Sequence, residues 1–330
     1  MRYYTGRNRT ADLGETFMVR VVFFGNSASI FSNRFFQELT KTPCELVGVV
    51  DVPPAKRPST NTKTLSGIQD FVLLAHFRRI PTFEPASPNT PEFIQLLSCL
   101  APDLFIAVGY MNLLKEQLLA VPSRLAVNVH ASLLPAYRGK HPVFWALRNG
   151  ERWAGLTIHV MACGLDTGDI LYQVRVRTRR NDSVISLYDR IMDRSAGLMS
   201  RLIEDVDRQN LHRTPQPTVR ASYYSSAHEE DYRLDWSRDA EQLRHWIQTS
   251  PGQCFCDAAG HRIFFSEATV VAPGDEIPPG VLLRIGRTNC TVAARNGGLR
   301  VRKLSLGGES ERPAAHLCRE LGLREGSSLA

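Results

Sequence analysis

The sequence has no apolar run near the roughly 20 residues that a helix needs to cross a bilayer; stretches such as Leu104–Val108 and Val281–Leu283 end far short of it. A helical membrane protein is therefore excluded. Paired cysteine motifs are also missing: the seven cysteines, at 44, 99, 163, 254, 256, 290 and 318, are odd in number and never spaced Cys-x-x-Cys. That pattern argues against a disulfide framework and against a zinc site, so no metal is expected and a reduced cytoplasmic setting fits. Cys254 and Cys256 stand two apart in a predicted strand and read as structural thiols sharing one face. The turn after the first strand, Gly25-Asn26-Ser27-Ala28-Ser29, has a single glycine. It lacks the Gly-x-Gly-x-x-Gly that lets a dinucleotide pyrophosphate approach the backbone, which disfavours a nicotinamide enzyme.

What is present fits a globular protein of two domains: 330 residues, 43% hydrophobic and 22% charged. The net charge of +7 implies attraction to a polyanion, whether RNA, a nucleotide or a polyglutamated cofactor, or else a basic surface with no partner. Residues 1–17 carry Arg2, Arg7 and Arg9 without an apolar stretch and read as a flexible leader, with Met18 a candidate start.

Val19 to Gly25 predicts a buried strand, and the spacing of Phe31, Phe35, Phe36 and Leu39 a helix after it. Glu45–Val52 and Asp103–Gly109 give further strands, with helices predicted over Ser66–Arg79 and Pro91–Leu100. Continuous Val/Ile/Leu strands alternating with helices predict a Rossmann-like α/β domain, its parallel sheet covered on both faces. Its ligands should sit beyond the carboxyl ends of the strands. This domain is assigned to 18–212. A helix over Ser183–Arg208 leads to Thr214-Pro215-Gln216-Pro217, within a linker placed at 213–235. In 236–330 a helix capped by Ser237 carries Leu243, Trp246 and Ile247 on one side, and short alternating runs from Cys254 onward predict a small antiparallel, OB-like β-barrel or sheet.

The stretch Ala126–Pro135 reads as a strand that projects Asn128 and His130 to one face, and Asp166 lies in the glycine-flanked loop Gly164–Asp169 after a strand at Leu156–Met161. An amide, an imidazole and a carboxylate suit transfer of a one-carbon acyl group to an amine. A preorganised donor stabilises the oxyanion that forms, typically by roughly 3–4 kcal/mol. His130 can take the proton of the amine, and an adjacent Asp166 would favour its charged form and poise it near neutrality.

Asn128-Val-His130-Ala-Ser132-Leu-Leu-Pro135-Ala-Tyr-Arg138-Gly139, followed by Gly164-Leu-Asp166-Thr-Gly168-Asp169, resembles the signature of the 10-formyltetrahydrofolate-dependent formyltransferases. That family includes methionyl-tRNA formyltransferase, glycinamide ribonucleotide formyltransferase and amino-sugar N-formyltransferases. The resemblance implies that Asn128 and His130 contact the formyl oxygen, that Asp166 orients His130, and that Leu134-Pro135 is a cis bond. It implies a 10-formyltetrahydrofolate site formed by Tyr110, Met111, Asn112 and Leu113 on one side and Gly164, Leu165 and Asp169 on the other. It also implies acceptor contacts from Ser132, Arg138, Lys56 and Arg57. The segment from Asp235-Trp236 onward resembles the C-terminal domain shared by methionyl-tRNA formyltransferase and the formyltransferase half of the enzyme acting on UDP-4-amino-4-deoxy-arabinose.

The acceptor stays open at this level. The Pro-rich basic loop after Asp51, with Lys56, Arg57 and Lys63, and an excess of Arg and Lys over Asp and Glu from Cys254 to Gly307 favour methionyl-tRNA. Arg138–Ala146, Thr157-Ile158-His159 and the tail at Leu321–Leu329 look closer to the amino-sugar enzymes. Hydrolysis of the cofactor to formate is a third outcome.

Overall fold

Residues 18–54, 70–272, 277–307 and 309–329 are described by a computed structural model. The leader 1–17 and the loop carrying Lys56, Arg57 and Lys63 lie outside the described residues.

The chain begins with β1 (Val19–Gly25) and α1 (Ile30–Leu39), whose first turn is capped by the Ser29 side chain. After β2 (Cys44–Asp51), helix α2 (Phe71–Phe77) starts at Asp70, whose carboxylate accepts from the Val72 and Leu73 amides. β3 (Thr82–Phe83) precedes α3 (Pro91–Cys99), capped by Thr90, with Pro91 in the first turn where its missing N–H costs nothing. There follow β4 (Leu104–Val108), α4 (Glu116–Leu119), β5 (Leu125–His130), β6 (Arg138–Gly139), α5 (Pro142–Arg148), β7 (Trp153–Val160) and β8 (Ile170–Arg177). The single helix predicted over 183–208 is two, α6 (Val184–Arg194) and α7 (Leu198–Asp207), separated at Gly197, whose φ of +84° no continuous helix can accommodate.

Seven strands form one sheet in the order β3-β2-β1-β4-β5-β7-β8. The pairings of β1 with β2 and β4, and of β2 with β3, are parallel, as expected. β8 departs from that pattern. It returns from β7 through a short loop, which permits only antiparallel pairing, so the sheet is mixed at this edge. By compactness the chain divides into Met1–Val127 with Gly197–His212, and Asn128–Ala196 with Arg213–Ala330, the division falling inside β5.

In the first unit the aromatic periodicity of the sequence becomes a core. Phe23 of β1, Phe36 of α1 and Phe71 of α2 are fully buried, with ring centroids 5.0, 5.4 and 5.7 Å apart. Edge and tilted contacts of this kind add to the gain from burial.

The second unit continues through β9 (Tyr223–Tyr224), α8 (Ala240–Thr249), β10 (Cys254–Ala258), β11 (His261–Val271), β12 (Leu282–Ile285), β13 (Cys290–Ala294), β14 (Gly297–Leu306), β15 (Arg312–Pro313) and α9 (Ala314–Glu320). The antiparallel β domain expected here is ordered β10-β11-β14-β13-β12, with β15 on β14. Leu243, Trp246 and Ile247 of α8 join Phe265, Leu299 and Val301 in its core. Trp236 donates its indole N–H to the Leu329 carbonyl at 2.9 Å and holds the chain end. Cys254 and Cys256 are buried, and desolvation pushes both thiols up to about 12, which removes thiolate chemistry at neutral pH. The cap of α8 is Asp239, not Ser237: the Ser237 hydroxyl donates to Asp235 Oδ1 at 2.6 Å in a turn that ends before the helix begins.

Phe36→Ala should cost about 3–5 kcal/mol of unfolding free energy by leaving a cavity between β1, α1 and α2. Urea denaturation measures it, and a loss under about 1 kcal/mol would contradict the packing described.

Candidate active site

The loop between β7 and β8 turns so that Asp166 points inward. Asp166 adopts φ +54°, a left-handed conformation that Asp tolerates better than most residues. Gly168 is required where the loop closes on β7, because a Cβ there would lie 1.9 Å from the Val160 carbonyl oxygen. Thr167 donates its hydroxyl to the Gly164 carbonyl at 3.0 Å, and Val160 donates its amide to the Asp169 carbonyl at 2.9 Å.

Asp166 is 6% exposed yet ionised. Its Oδ1 accepts from the Asn128 amide at 3.2 Å and its Oδ2 from the Gly139 backbone N–H at 2.8 Å. His159 Nε2 stands 3.4 Å from Oδ1, and His130 Nδ1 3.7 Å from Oδ2. Burial alone would push this carboxyl up. In the acid range where the group titrates, the nearby His159 and His130 imidazoles and the Gly139 N–H outweigh it and hold the group at about 2.

His130 behaves differently from the sequence expectation. At 7% exposure, desolvation is the dominant influence and lowers its pKa, even though the Asp166 charge and the Tyr137 carbonyl act the other way. The imidazole is neutral at neutral pH. Its Nε2 lies 2.8 Å from the Tyr137 carbonyl, which can only accept, so Nε2 carries the proton and Nδ1 presents its lone pair on the Asp166 side.

The same reasoning fixes His159. Its Nδ1 donates to the Val160 carbonyl at 2.9 Å, leaving Nε2 to accept from the Asn128 amide at 3.2 Å. Both hydrogens of the Asn128 amide are thus engaged, one by Asp166 and one by His159.

The strand expected to run to Pro135 ends at His130, because the chain folds back at once. The Ser132 amide donates to the His130 carbonyl at 2.9 Å, and its hydroxyl is spent on the Ala136 carbonyl at 2.7 Å rather than turned outward. Thr157 Oγ1 donates to the Ser132 carbonyl at 2.6 Å, Gln173 holds the Leu134 carbonyl at 2.9 Å, and Leu134-Pro135 is cis, as the resemblance implied. Gly139, at φ +98°, pairs with Tyr224 of β9; a Cβ there would stand 2.1 Å from the Tyr224 carbonyl oxygen.

Gln216, in the segment expected to be a linker, binds from the other side. Its Nε2 donates to the carbonyls of Asp166 at 2.8 Å and Gly168 at 2.7 Å, while its Oε1 accepts from the Arg138 guanidinium at 3.2 and 2.7 Å. The structure therefore brings together Asn128, His130, Asp166 and Arg138, and adds His159 and Gln216, which sequence reasoning did not select. The signal for His159 was its place in the strand that leads to the Asp166 loop. Gln216 carried none beyond being a polar residue between prolines.

The other predicted cofactor residues fall into two sets. Tyr110, Met111, Asn112 and Leu113 follow β4 in the first unit, where the Tyr110 ring packs on Phe24 at 5.4 Å and its hydroxyl accepts from Asn112 Nδ2 at 3.3 Å. Met111 is 46% exposed and Leu113 55%, whereas Leu165 in the Asp166 loop of the second unit is 42% exposed. Exposed apolar side chains of this kind suit a flat heteroaromatic ligand.

Nuclear magnetic resonance should find His130 neutral at pH 6.5, protonated on Nε2, with a pKa below that of a free imidazole. Asp166→Asn should lower it further, since the lost charge acted to raise it. The Asp166 carboxyl is depressed from 3.8 to about 2, so its stabilising effect is complete above 3.8 and vanishes as pH falls toward 2. By linkage this amounts to about 2 kcal/mol. Urea titrations between about pH 4 and 2 should show that loss in the natural protein and not in Asp166→Asn.

Residues 19–203 match the family model described as formyl transferase, and residues 227–321 match the formyl transferase C-terminal domain. Similar proteins include the methionyl-tRNA formyltransferase of Synechococcus sp. (strain JA-3-3Ab), 32% identical over 317 residues that cover 93% of this chain and 97% of that one. The methionyl-tRNA formyltransferase of Acidithiobacillus ferrooxidans is 33% identical over 279 residues, covering 83% and 86%. Among solved structures, WlaRD, a sugar 3N-formyl transferase, aligns with a TM-score of 0.61 at 15% identity over 89% of this chain and 100% of that one. HypX from Aquifex aeolicus in complex with tetrahydrofolic acid aligns with a TM-score of 0.60 at 17% identity over 93% of this chain and 48% of HypX, so the chain spans about half of that protein. These structural likenesses establish the fold. Both parts of the chain are matched by the corresponding family models, and the protein belongs to the formyltransferase family.

Proposed function

We propose that this protein transfers the formyl group of 10-formyltetrahydrofolate to the amino group of methionyl-tRNA in the cytoplasm, with chemistry at Asn128, His130 and Asp166. The observation that carries the chemistry is the neutral His130 facing an ionised Asp166, with Nδ1 3.7 Å from Oδ2. The acceptor reading rests on relatives named for methionyl-tRNA that align over 93% of the chain, and on the net charge of +7.

The folate supplies the formyl carbon, and the side chains handle charge and protons around it. As the amine nitrogen bonds to that carbon and the bond from the carbon to the folate nitrogen breaks, the proton shed by the amine goes to His130 Nδ1. Asp166 stabilises the resulting imidazolium, and the proton is then available to the departing nitrogen. For Asn128 to donate to the formyl oxygen, one of its hydrogens must leave Asp166 or His159. Arg138, with its guanidinium held by Gln216, lines the acceptor side, and the exposed Leu165 of the Asp166 loop offers apolar surface to the folate.

A nucleotide-linked amino sugar is the second reading. His159 inside the cluster, in the Thr157-Ile158-His159 segment that looks closer to the amino-sugar enzymes, favours it. The basic excess of the C-terminal domain is also smaller than its sequence implied: Arg262 pairs with Glu229 and Asp257, Arg302 with Glu267, and Lys303 with Glu311.

Labelled 10-formyltetrahydrofolate with charged initiator tRNA should yield formylmethionyl-tRNA. Turnover of a UDP- or dTDP-amino sugar with no transfer to tRNA would sink the first reading, and formate release without any amine would reveal hydrolysis. His130→Ala should lower kcat by roughly 10²-fold or more while folate still binds. Because the His130 pKa is depressed, kcat/KM should stay level as pH falls past that of a free imidazole, then drop at lower pH.

A further inference from the structure

A basic groove lies away from the Asp166 cluster, in the same compact unit. It encloses about 820 Å³ and is lined by Arg175, Arg177, Arg179 and Arg180 at the end of β8 and by Arg190 and Arg194 of α6. Two of these guanidiniums are neutralised: Arg180 by Glu241, and Arg190 by a bidentate pairing with Asp182. The Arg175 guanidinium carbon lies 4.1 Å from the centroid of the Trp153 ring. Asp193 also lines the groove, so six guanidiniums face one carboxylate of the lining, Glu241 and Asp182 pair with two of them, and the groove keeps a net positive charge.

The spacing of that charge is regular. Arg175 and Arg177 alternate with the half-buried Val174 and Val176, so they stand on one exposed face of β8 at a two-residue interval of about 6.6 Å. Gln173 shares that face and reaches the Leu134 carbonyl, in the turn that follows His130. One face of β8 therefore leads from the catalytic segment to the arginines, and the length from Ile170 to Arg177 is about 23 Å. Charge on an edge strand also discourages edge pairing. That explanation leaves the convergence of α6 arginines on the same groove unaccounted for. A sugar nucleotide carries only two phosphates close to its reacting sugar, whereas an RNA strand with its end in the site presents phosphates repeatedly along the way, at a spacing comparable to that of the arginines. Guanidinium forks suit phosphate oxygens.

We propose that the arginine groove between β8 and α6 docks the phosphodiester backbone of the RNA acceptor. This rests on the methionyl-tRNA reading and adds to it a surface remote from the reacting atoms.

The test is binding of uncharged tRNA to the full-length protein, followed by fluorescence anisotropy over a series of salt concentrations. The triple variant Arg177→Glu, Arg179→Glu, Arg194→Glu should bind at least about tenfold more weakly, with the slope of log affinity against log salt shallower by about two to three. The corresponding triple Lys variant should restore binding. Thermal unfolding reports whether the charge reversals fold, and Arg179→Ala, in an exposed turn, should by itself reduce the slope by about one. Equal tRNA affinity in the natural protein and the folded triple variant would overturn the groove and leave the tRNA reading standing. Failure of the natural protein to bind tRNA would overturn both. Loss of polyglutamylated folate binding in the variant with tRNA affinity intact would assign the groove to another anion and overturn the proposal.

Discussion

The candidate site depends on keeping one carboxylate charged where water hardly reaches. An ionised Asp166 at 6% exposure is tolerable only if its oxygens are paired, and the surrounding chain is arranged to pair them. Asn128 comes from β5 and Gly139 from the end of a tight turn, while His159, from the strand before the loop, takes the second Asn128 hydrogen. Gln216 grips the backbone of Asp166 itself. Loss of any of these donors leaves buried charge uncompensated, so the groups proposed to carry the chemistry are also structural.

Burial divides the two titratable partners. It pushes the imidazole of His130 toward its neutral form, while paired donors keep Asp166 ionised against the same desolvation. The result is a base with a free lone pair beside an anion ready to stabilise the proton it accepts. A fully exposed His130 beside the same carboxylate would hold a proton more readily at neutral pH, and less of it would be free to take a proton from an amine.

Much of this was legible in the sequence where periodicity controls the outcome. Alternation put Asn128 and His130 on one face, and helical spacing turned Phe35, Phe36 and Leu39 inward. Asp166 could be selected only through its glycine-rich surroundings and the family resemblance, because its partners come from distant positions. The direction of the His130 shift was missed because it depends on how much protein covers the ring, which no local pattern records. The two-helix break at Gly197 and the displaced cap at Asp239 failed for a related reason: a left-handed glycine and a self-contained Asp235 turn override propensities that look continuous. Gln216 was hidden most completely, since a buried glutamine between prolines looks like any linker residue.

The two-residue pairing of β6 with β9 has one more consequence. Tyr224 stacks on Tyr137 at 5.0 Å and tilts against Trp145, while Trp145 and Tyr137 also bond the Ser225 carbonyl and the Ser222 hydroxyl. A further layer of contacts joins α5 to α8, where Arg148 lies 3.7 Å over the Trp246 ring. The segment after α7 is thus woven into the wall that shapes the Asp166 loop. A polypeptide ending at His212 would lack both the Gln216 clasp on Arg138 and the lining of that wall, so the surroundings of the buried Asp166 are completed only by residues that follow α7.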